Sequence, residues 1–255
     1  MMKMDIMRGQ KKIPFPELRG SLGAIRFPAF AELKLDGELN EFHYTDNGVC
    51  YLINKHGTMR YNWNALEQIV PLGVKDMVLV GELIYHDGKQ GDLYKLLSNK
   101  TNENEIKFVP FDVLIINEQV VKFEPLIERK EMLVHTLKGV EPKVVMNQED
   151  VDDAFQDAIQ AGYEGIVVKN MHEPYRTGPC NWVKVKEKDQ NDYRVTIIDP
   201  VKDRIEVDVN GRGVGVKCMP KDKCNLKVGS IVTVEHQGVL DTGGLRHPVF
   251  IKKES

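Results

Sequence analysis

The sequence has no apolar run long enough to cross a membrane, since a spanning helix needs about 20 consecutive apolar residues. Its first residues break up their methionines with Lys3, Asp5, Arg8, Lys11 and Lys12, so the apolar centre of a secretion signal is missing as well. Cysteine is scarce. Cys50, Cys180, Cys218 and Cys224 lack the close pairing of a zinc site, and a chain of 255 residues does not need a disulfide framework. They read as free thiols in a reducing compartment. A charge excess of one sign is also absent. The formal balance of -3 neither supports nor excludes a nucleic-acid partner, because such binding needs a basic patch rather than a basic total. No internal repeat or low-complexity tract is present. A soluble cytoplasmic protein is therefore expected, with no membrane partner.

What is present suffices for a core: 42% of the residues are hydrophobic, enough for one large domain or two smaller ones. Residues Leu39 to Tyr44 alternate, Asp46-Asn47-Gly48 signals a turn, and Val49 to Ile53 resume an apolar run; together they predict a hairpin. This sets Lys34 at or just before a strand. Met77 to Tyr85 and Ile106 to Ile116 predict strands entering a buried core. Phe123 to Leu137 and Asp150 to Ala161 carry helical spacing, with Gly162 as a stop. Ile166 to Lys169 and Trp182 to Lys186 read as strands. The polar stretch Glu187 to Asp192 has no apolar periodicity and marks a linker, dividing the chain at 1–188 and 189–255. Beyond it, five short strand-like runs separated by turns suggest a small barrel: Arg194 to Ile198, Ile205 to Val209, Val214 to Cys218, Ser230 to His236 and Val249 to Lys252.

Short motifs follow one another along the first segment: Glu32-Leu33-Lys34-Leu35-Asp36-Gly37, Lys55-His56-Gly57, Gly81-Glu82-Leu83, Phe111-Asp112-Val113-Leu114, Glu164-Gly165-Ile166-Val167-Val168-Lys169 and Trp182-Val183-Lys184-Val185-Lys186. A single Lys-x-Asp-Gly is weak, but six motifs in order are strong. The series resembles the covalent nucleotidyltransferases, and most of all the ATP-dependent DNA ligases. The resemblance runs from about Phe30 to Phe250 and implies an α+β fold. A nucleotidyltransferase (adenylation) domain of antiparallel sheets with helices would be followed by a small oligonucleotide-binding β-barrel. The expected setting is the cytoplasm of a bacterial, archaeal or virus-infected cell.

The resemblance implies that Lys34 attacks the α-phosphate of ATP, expels pyrophosphate and carries AMP, with Asp36 in the same motif. A lysine is nucleophilic only when unprotonated, and nearby cations favour that state; Lys169, Lys184 and Lys186 would supply them if the strands converge. Glu32 matches the acid that helps to recognise adenine, and Phe111 the aromatic that stacks on the base. Lys55 and Lys169 join the cofactor-binding set. Glu82 and Glu164 resemble the carboxylates that serve the ribose and the metal, magnesium or else manganese. Magnesium needs only one or two carboxylates beside substrate phosphates. Lys184 and Lys186 alternate with Val183 and Val185, so both face one side of a strand and can meet developing phosphate charge. Arg246, in Arg246-His247-Pro248-Val249-Phe250, resembles the arginine that orients the leaving pyrophosphate, a task suited to a bidentate guanidinium.

Each residue has a plainer reading: a turn lysine at Lys34, a solvated acid at Glu32, core packing at Phe111, edge-strand lysines at Lys184 and Lys186. The pattern also departs from the DNA ligases twice. Leu39 stands where they place an arginine, as in some RNA ligases, although an arginine elsewhere such as Arg60 could compensate. Lys252-Lys253-Glu254-Ser255 replaces a longer basic ending. The expected protein is a monomeric, minimal two-domain enzyme sealing nicked duplex DNA, with no large helical domain ahead of Lys34. The alternatives are an RNA ligase, a capping guanylyltransferase and a non-catalytic nucleic-acid-binding relative.

Overall fold

The computed structural model describes residues 22–61, 66, 69, 73–89, 105–137, 142–186, 189–240 and 242–254, together with the strand pairing of 6–7 and 16–18. Most of the amino-terminal stretch read for a signal, and Glu187 and Lys188 of the expected linker, lie outside those residues. Contacts group the chain into two compact units, Met1–Lys186 and Glu187–Ser255. Both are rich in strands and carry few helices.

In the first unit the strands are β1 (Ile6–Met7), β2 (Pro16–Leu18), β3 (Ala29–Leu33), β4 (Glu38–Tyr44), β5 (Cys50–Asn54), β6 (Met59–Tyr61), β7 (Met77–Tyr85), β8 (Ile106–Ile116), β9 (Gln119–Val120), β10 (Lys143–Val145), β11 (Gly165–Asn170), β12 (Gly178–Cys180) and β13 (Val183–Lys186). A seven-stranded sheet runs β1-β6-β5-β4-β7-β8-β9 and a four-stranded sheet β10-β3-β11-β13. All pairings within these two sheets are antiparallel. β7 and β8 end where the sequence predicts. β7 is apolar nearly throughout because both its faces are covered: Leu79 and Leu83 join a core with Phe42, Leu52, Phe108 and Leu133, while Val80 packs with Leu114, Tyr175 and Trp182.

Among the described residues two helices flank the sheets, α1 (Leu126–Leu137) and α2 (Gln148–Gln160). α1 starts three residues later than the periodicity suggests. Pro125 disfavours helical backbone in the residue before it, and Glu124 closes a turn onto the Val121 carbonyl instead. Asn147 caps α2, its side chain accepting the Asp150 N–H at 3.0 Å. Val151, Ala154 and Ala158 then face the core of the smaller sheet.

The second unit holds β14 (Asp189–Ile198), β15 (Arg204–Val209), β16 (Arg212–Lys217), a one-turn helix α3 (Pro220–Lys223), β17 (Ile231–His236) and β18 (Val249–Lys253). The strands close in the order β14-β15-β16-β18-β17 around Val195, Ile205, Val207, Val216, Val232 and Val234. One expectation fails. Residues 189–192, read as linker, are the first four residues of β14, paired with β17 from Asp189↔His236 to Asp192↔Thr233. Their side chains are exposed and polar, so no apolar alternation marks them; the backbone ladder makes the strand, joined by cross-strand contacts in which Asp192 accepts from the Thr233 hydroxyl at 2.8 Å and the Asn191 side-chain oxygen meets His236 Nε2 at 2.9 Å.

Candidate active site

Lys34 follows the last residue of β3, so it sits in the loop before β4 and not within a strand. Its backbone N–H bonds the Gly165 carbonyl at 2.8 Å, and that of Asp36 bonds Gly88 at 2.8 Å, which ties the loop down at two points. Gly37 is required here: a Cβ would run into the Leu83 carbonyl oxygen and lie 2.7 Å from the Glu82 side chain. Glycine alone allows that approach. Asp36 is buried.

The Lys34 ammonium meets Glu164 Oε2 at 2.5 Å, and Lys186 meets the other oxygen of the same carboxylate at 3.2 Å. Glu164 lies just ahead of β11, and the pairing Gly165↔Lys186 brings the far end of β13 beside it. Burial would raise the Glu164 pKa, but Lys34 and Lys186 outweigh it and hold the carboxyl below its usual range. Such a carboxylate is a counter-ion and a weak base. Burial also lowers the Lys186 pKa, against the pull of Glu164.

Glu32, central in the smaller sheet opposite Val167, is buried between two cations, Lys169 at 2.7 Å and Lys130 at 2.8 Å. All three side chains are at most 7% exposed. Burial opposes ionisation of Glu32, yet the two ammonium groups hold its pKa down; burial likewise holds Lys169 below its ordinary range. The Lys169 ammonium also lies 4.4 Å from the Phe111 ring centroid and 4.2 Å from that of Trp182, contacts of cation–π geometry. Lys169 therefore serves Glu32 and the rings. Among the expected cations, the one found beside Lys34 is Lys186, through their shared carboxylate.

A cavity of about 700 Å³ is lined by Glu32, Lys34, Lys55, Glu82, Phe111, Lys169 and Lys184, with Glu38, Leu39, His56, Lys107 and Trp182. That volume suits a small-molecule ligand. Glu82 is half-buried, and burial, helped by Asp36, Glu38 and Glu164 and opposed by Lys34, pushes its pKa up to about 8. Crowded acids in a partly buried site are what a divalent cation would relieve. Among the described residues no three His, Cys, Asp or Glu side chains form a metal cage.

Arg60 does not stand in for the arginine missing at Leu39. It is buried and its guanidinium meets Glu38 at 2.5 Å. Arg246 belongs to the second unit, where it is buried; its N–H bonds Gly238 and its carbonyl accepts from Gln237. Lys130, Glu38 and Asn54 are absent from the sequence-based set. A lysine in a helix reads as surface, and nothing in the sequence signals that Lys130 turns inward to a carboxylate.

The family model of the ATP dependent DNA ligase domain matches residues 18–186. DNA ligase 4 of Kluyveromyces lactis is 28% identical over 190 residues, which cover 61% of this chain and 21% of that protein. The DNA ligase of Staphylothermus marinus is 25% identical over 194 residues, 68% of this chain and 32% of the relative. The chain thus spans about a third or less of these two relatives. A solved Lig E DNA ligase structure shares the fold with a TM-score of 0.72 at 17% identity, covering 95% of this chain and 99% of its own. The ligase domain of M. tuberculosis LigD gives 0.58 at 16% identity, covering 95% of each chain.

Proposed function

We propose, for a chain that belongs to the ATP-dependent DNA ligase domain family, the sealing of 5'-phosphate, 3'-hydroxyl nicks in duplex DNA at the expense of ATP. The observation that carries this reading is Lys34 on the wall of the cavity, bound to Glu164, whose second oxygen holds Lys186. In this reading ATP enters with its base toward Phe111, Trp182 and Glu32 and its phosphates toward Lys34 and Lys184. Lys34 breaks its contact with Glu164, gives up a proton to solvent and attacks the α-phosphorus with the lone pair so freed. A phosphoramide bond forms and pyrophosphate leaves. The AMP then passes to the 5'-phosphate of the nick, and the 3'-hydroxyl displaces it to close the strand.

Lys184 and Lys186 stabilise charge that builds on the transferring phosphate, an effect strongest in a site from which water is largely excluded. Glu164 holds the two lysines in register until substrate arrives. Magnesium or manganese at Glu82 and Glu164 would supply Lewis-acid polarisation of phosphate oxygens. The second unit is read as an oligonucleotide-binding fold that contributes Arg246 to the departure of pyrophosphate, in a monomeric cytoplasmic enzyme.

Leu39 on the cavity wall keeps an RNA ligase as the second reading. Labelled ATP or GTP, followed by nicked all-DNA and all-RNA duplexes, separates them. ATP alone should label the protein, and the DNA nick should close faster at moderate salt. A-form grooves and 2'-hydroxyls distinguish the RNA duplex. Equal or faster closure of the RNA nick would replace the DNA reading, and failure to take up any nucleotide would remove both.

A further inference from the structure

β4 opens with Glu38, two residues beyond Asp36, and both oxygens of its carboxylate are engaged. One meets Arg60 at 2.5 Å, and the other accepts from the Asn54 side-chain amide at 2.8 Å. The carbonyl oxygen of that amide accepts in turn from the backbone N–H of His56 at 2.9 Å and of Thr58 at 3.0 Å. Gly57 N–H closes onto the Asn54 backbone carbonyl at 2.9 Å. Asn54 and Arg60 are buried, whereas Lys55 and His56 at the tip of the turn are exposed and line the cavity.

A hairpin does not need such a network. Burying a carboxylate with a guanidinium carries a desolvation cost that an apolar pair would avoid, and a two-strand turn can be closed by its backbone alone. The network's effect is rigidity at one place, where two nitrogen-bearing side chains meet the cavity. Nearby Leu39 brings no charge to the same wall. Side chains that must meet a phosphate are effective when their own support is locked.

We propose that Glu38 is a positioning residue which, through Asn54, fixes the Lys55-His56 turn so that these side chains contact substrate phosphate oxygens on the wall that Leu39 leaves uncharged. The inference rests on the AMP-transfer reading of the site. The phosphates come either from ATP or from the 5' end of the polynucleotide, and the chemistry of recognition is the same.

A double-mutant cycle on the full chain tests it, with Glu38→Gln, the pair Lys55→Ala/His56→Ala, and all three together. One arm measures the rate of AMP labelling from ATP. The other measures transfer of AMP from pre-labelled protein to nicked DNA. Glu38→Gln should slow one arm roughly 10- to 100-fold, the scale of a misplaced contact, and the loss should vanish in the Lys55→Ala/His56→Ala background. A loss in the first arm assigns the contact to ATP, and in the second to the polynucleotide. Losses that multiply independently would overturn the inference. Should Glu38→Gln fail to fold, Asn54→Asp decides: it keeps the acceptor for the turn and removes the donor to Glu38. Native melting with full rates in both arms would also overturn it. Wild-type protein that never accepts AMP would instead sink the activity reading, and this inference with it.

Discussion

The Lys169 ammonium lies 2.7 Å from the Glu32 carboxylate, 137 residues away in sequence, with both side chains inside the protein. Lys130 completes a buried trio of one anion and two cations, of which Glu32 and Lys169 line the cavity. Such a trio is stable only as a set. Glu32→Gln strands two buried ammonium groups, whereas Lys130→Met leaves the neutral pair Glu32–Lys169. Glu32→Gln should cost about 3–5 kcal/mol and Lys130→Met clearly less, read from urea unfolding midpoints at constant m. The reverse order would show that Lys130, not Glu32, is the centre of the trio.

Lys34→Ala should abolish covalent AMP, seen as the absence of an AMP-sized mass adduct. It should still close a nick that already carries AMP, because that step needs no lysine adduct. An adduct persisting on the variant would exclude Lys34 as the nucleophile.

Glu164→Ala leaves Lys34 and Lys186 without their shared counter-ion. A loss of AMP transfer of about 100-fold or more is expected, comparable to removal of one electrostatic stabiliser. The change in melting temperature should be smaller than for Glu32→Gln, since the Lys34 and Lys186 side chains are 20% and 17% exposed and water can solvate the ammonium groups left behind. Unchanged turnover and unchanged dependence on divalent cation would end its assigned role.

Glu82 makes stability depend on pH. Its folded pKa of about 8 lies above the ordinary 4.5, so the folded state holds the proton more tightly than the unfolded chain. The stabilisation is complete below about pH 4.5 and is lost as pH rises through about 8. Glu82→Gln should therefore melt higher than wild type at pH 9 and alike at pH 4.5. Magnesium should raise the melting temperature of wild type at pH 9 and do less for the variant. Parallel melting curves across this range would contradict the shift.

The fragment 1–186 should fold on its own, because the clusters around Phe42, Ala31 and Trp182 lie wholly within it. Its reaction with ATP should be severely slowed by the absence of Arg246. Full-rate AMP labelling by the folded fragment would confine the barrel to nucleic-acid binding.

Much of the first unit is legible in sequence because its strands declare themselves chemically. Met77–Tyr85 is apolar nearly throughout, Ile106–Ile116 alternates and then turns continuously apolar, and Gly37 and Gly165 stand where backbones crowd, a Cβ on Gly165 lying 2.9 Å from Lys186 Cα. The start of β14 is illegible for the opposite reason. Asp189 to Asp192 expose their side chains and are held by main-chain bonds that every residue type can make, and by polar contacts to Thr233 and His236 that lie 41 and 45 residues away.

The sequence by itself determined the order of the motifs, the strand periodicities and the identity of Lys34 as the lysine of Lys-x-Asp-Gly. Those are local properties, set by residue type and spacing. Only the tertiary structure decided which charges meet: Lys186 with Glu164, Lys130 with Glu32, and Arg60 with Glu38 in place of a free arginine beside Leu39. A charged side chain carries no periodic signal of its partner. The pairing is fixed by antiparallel register between distant strands and by the need to neutralise each ion taken out of water.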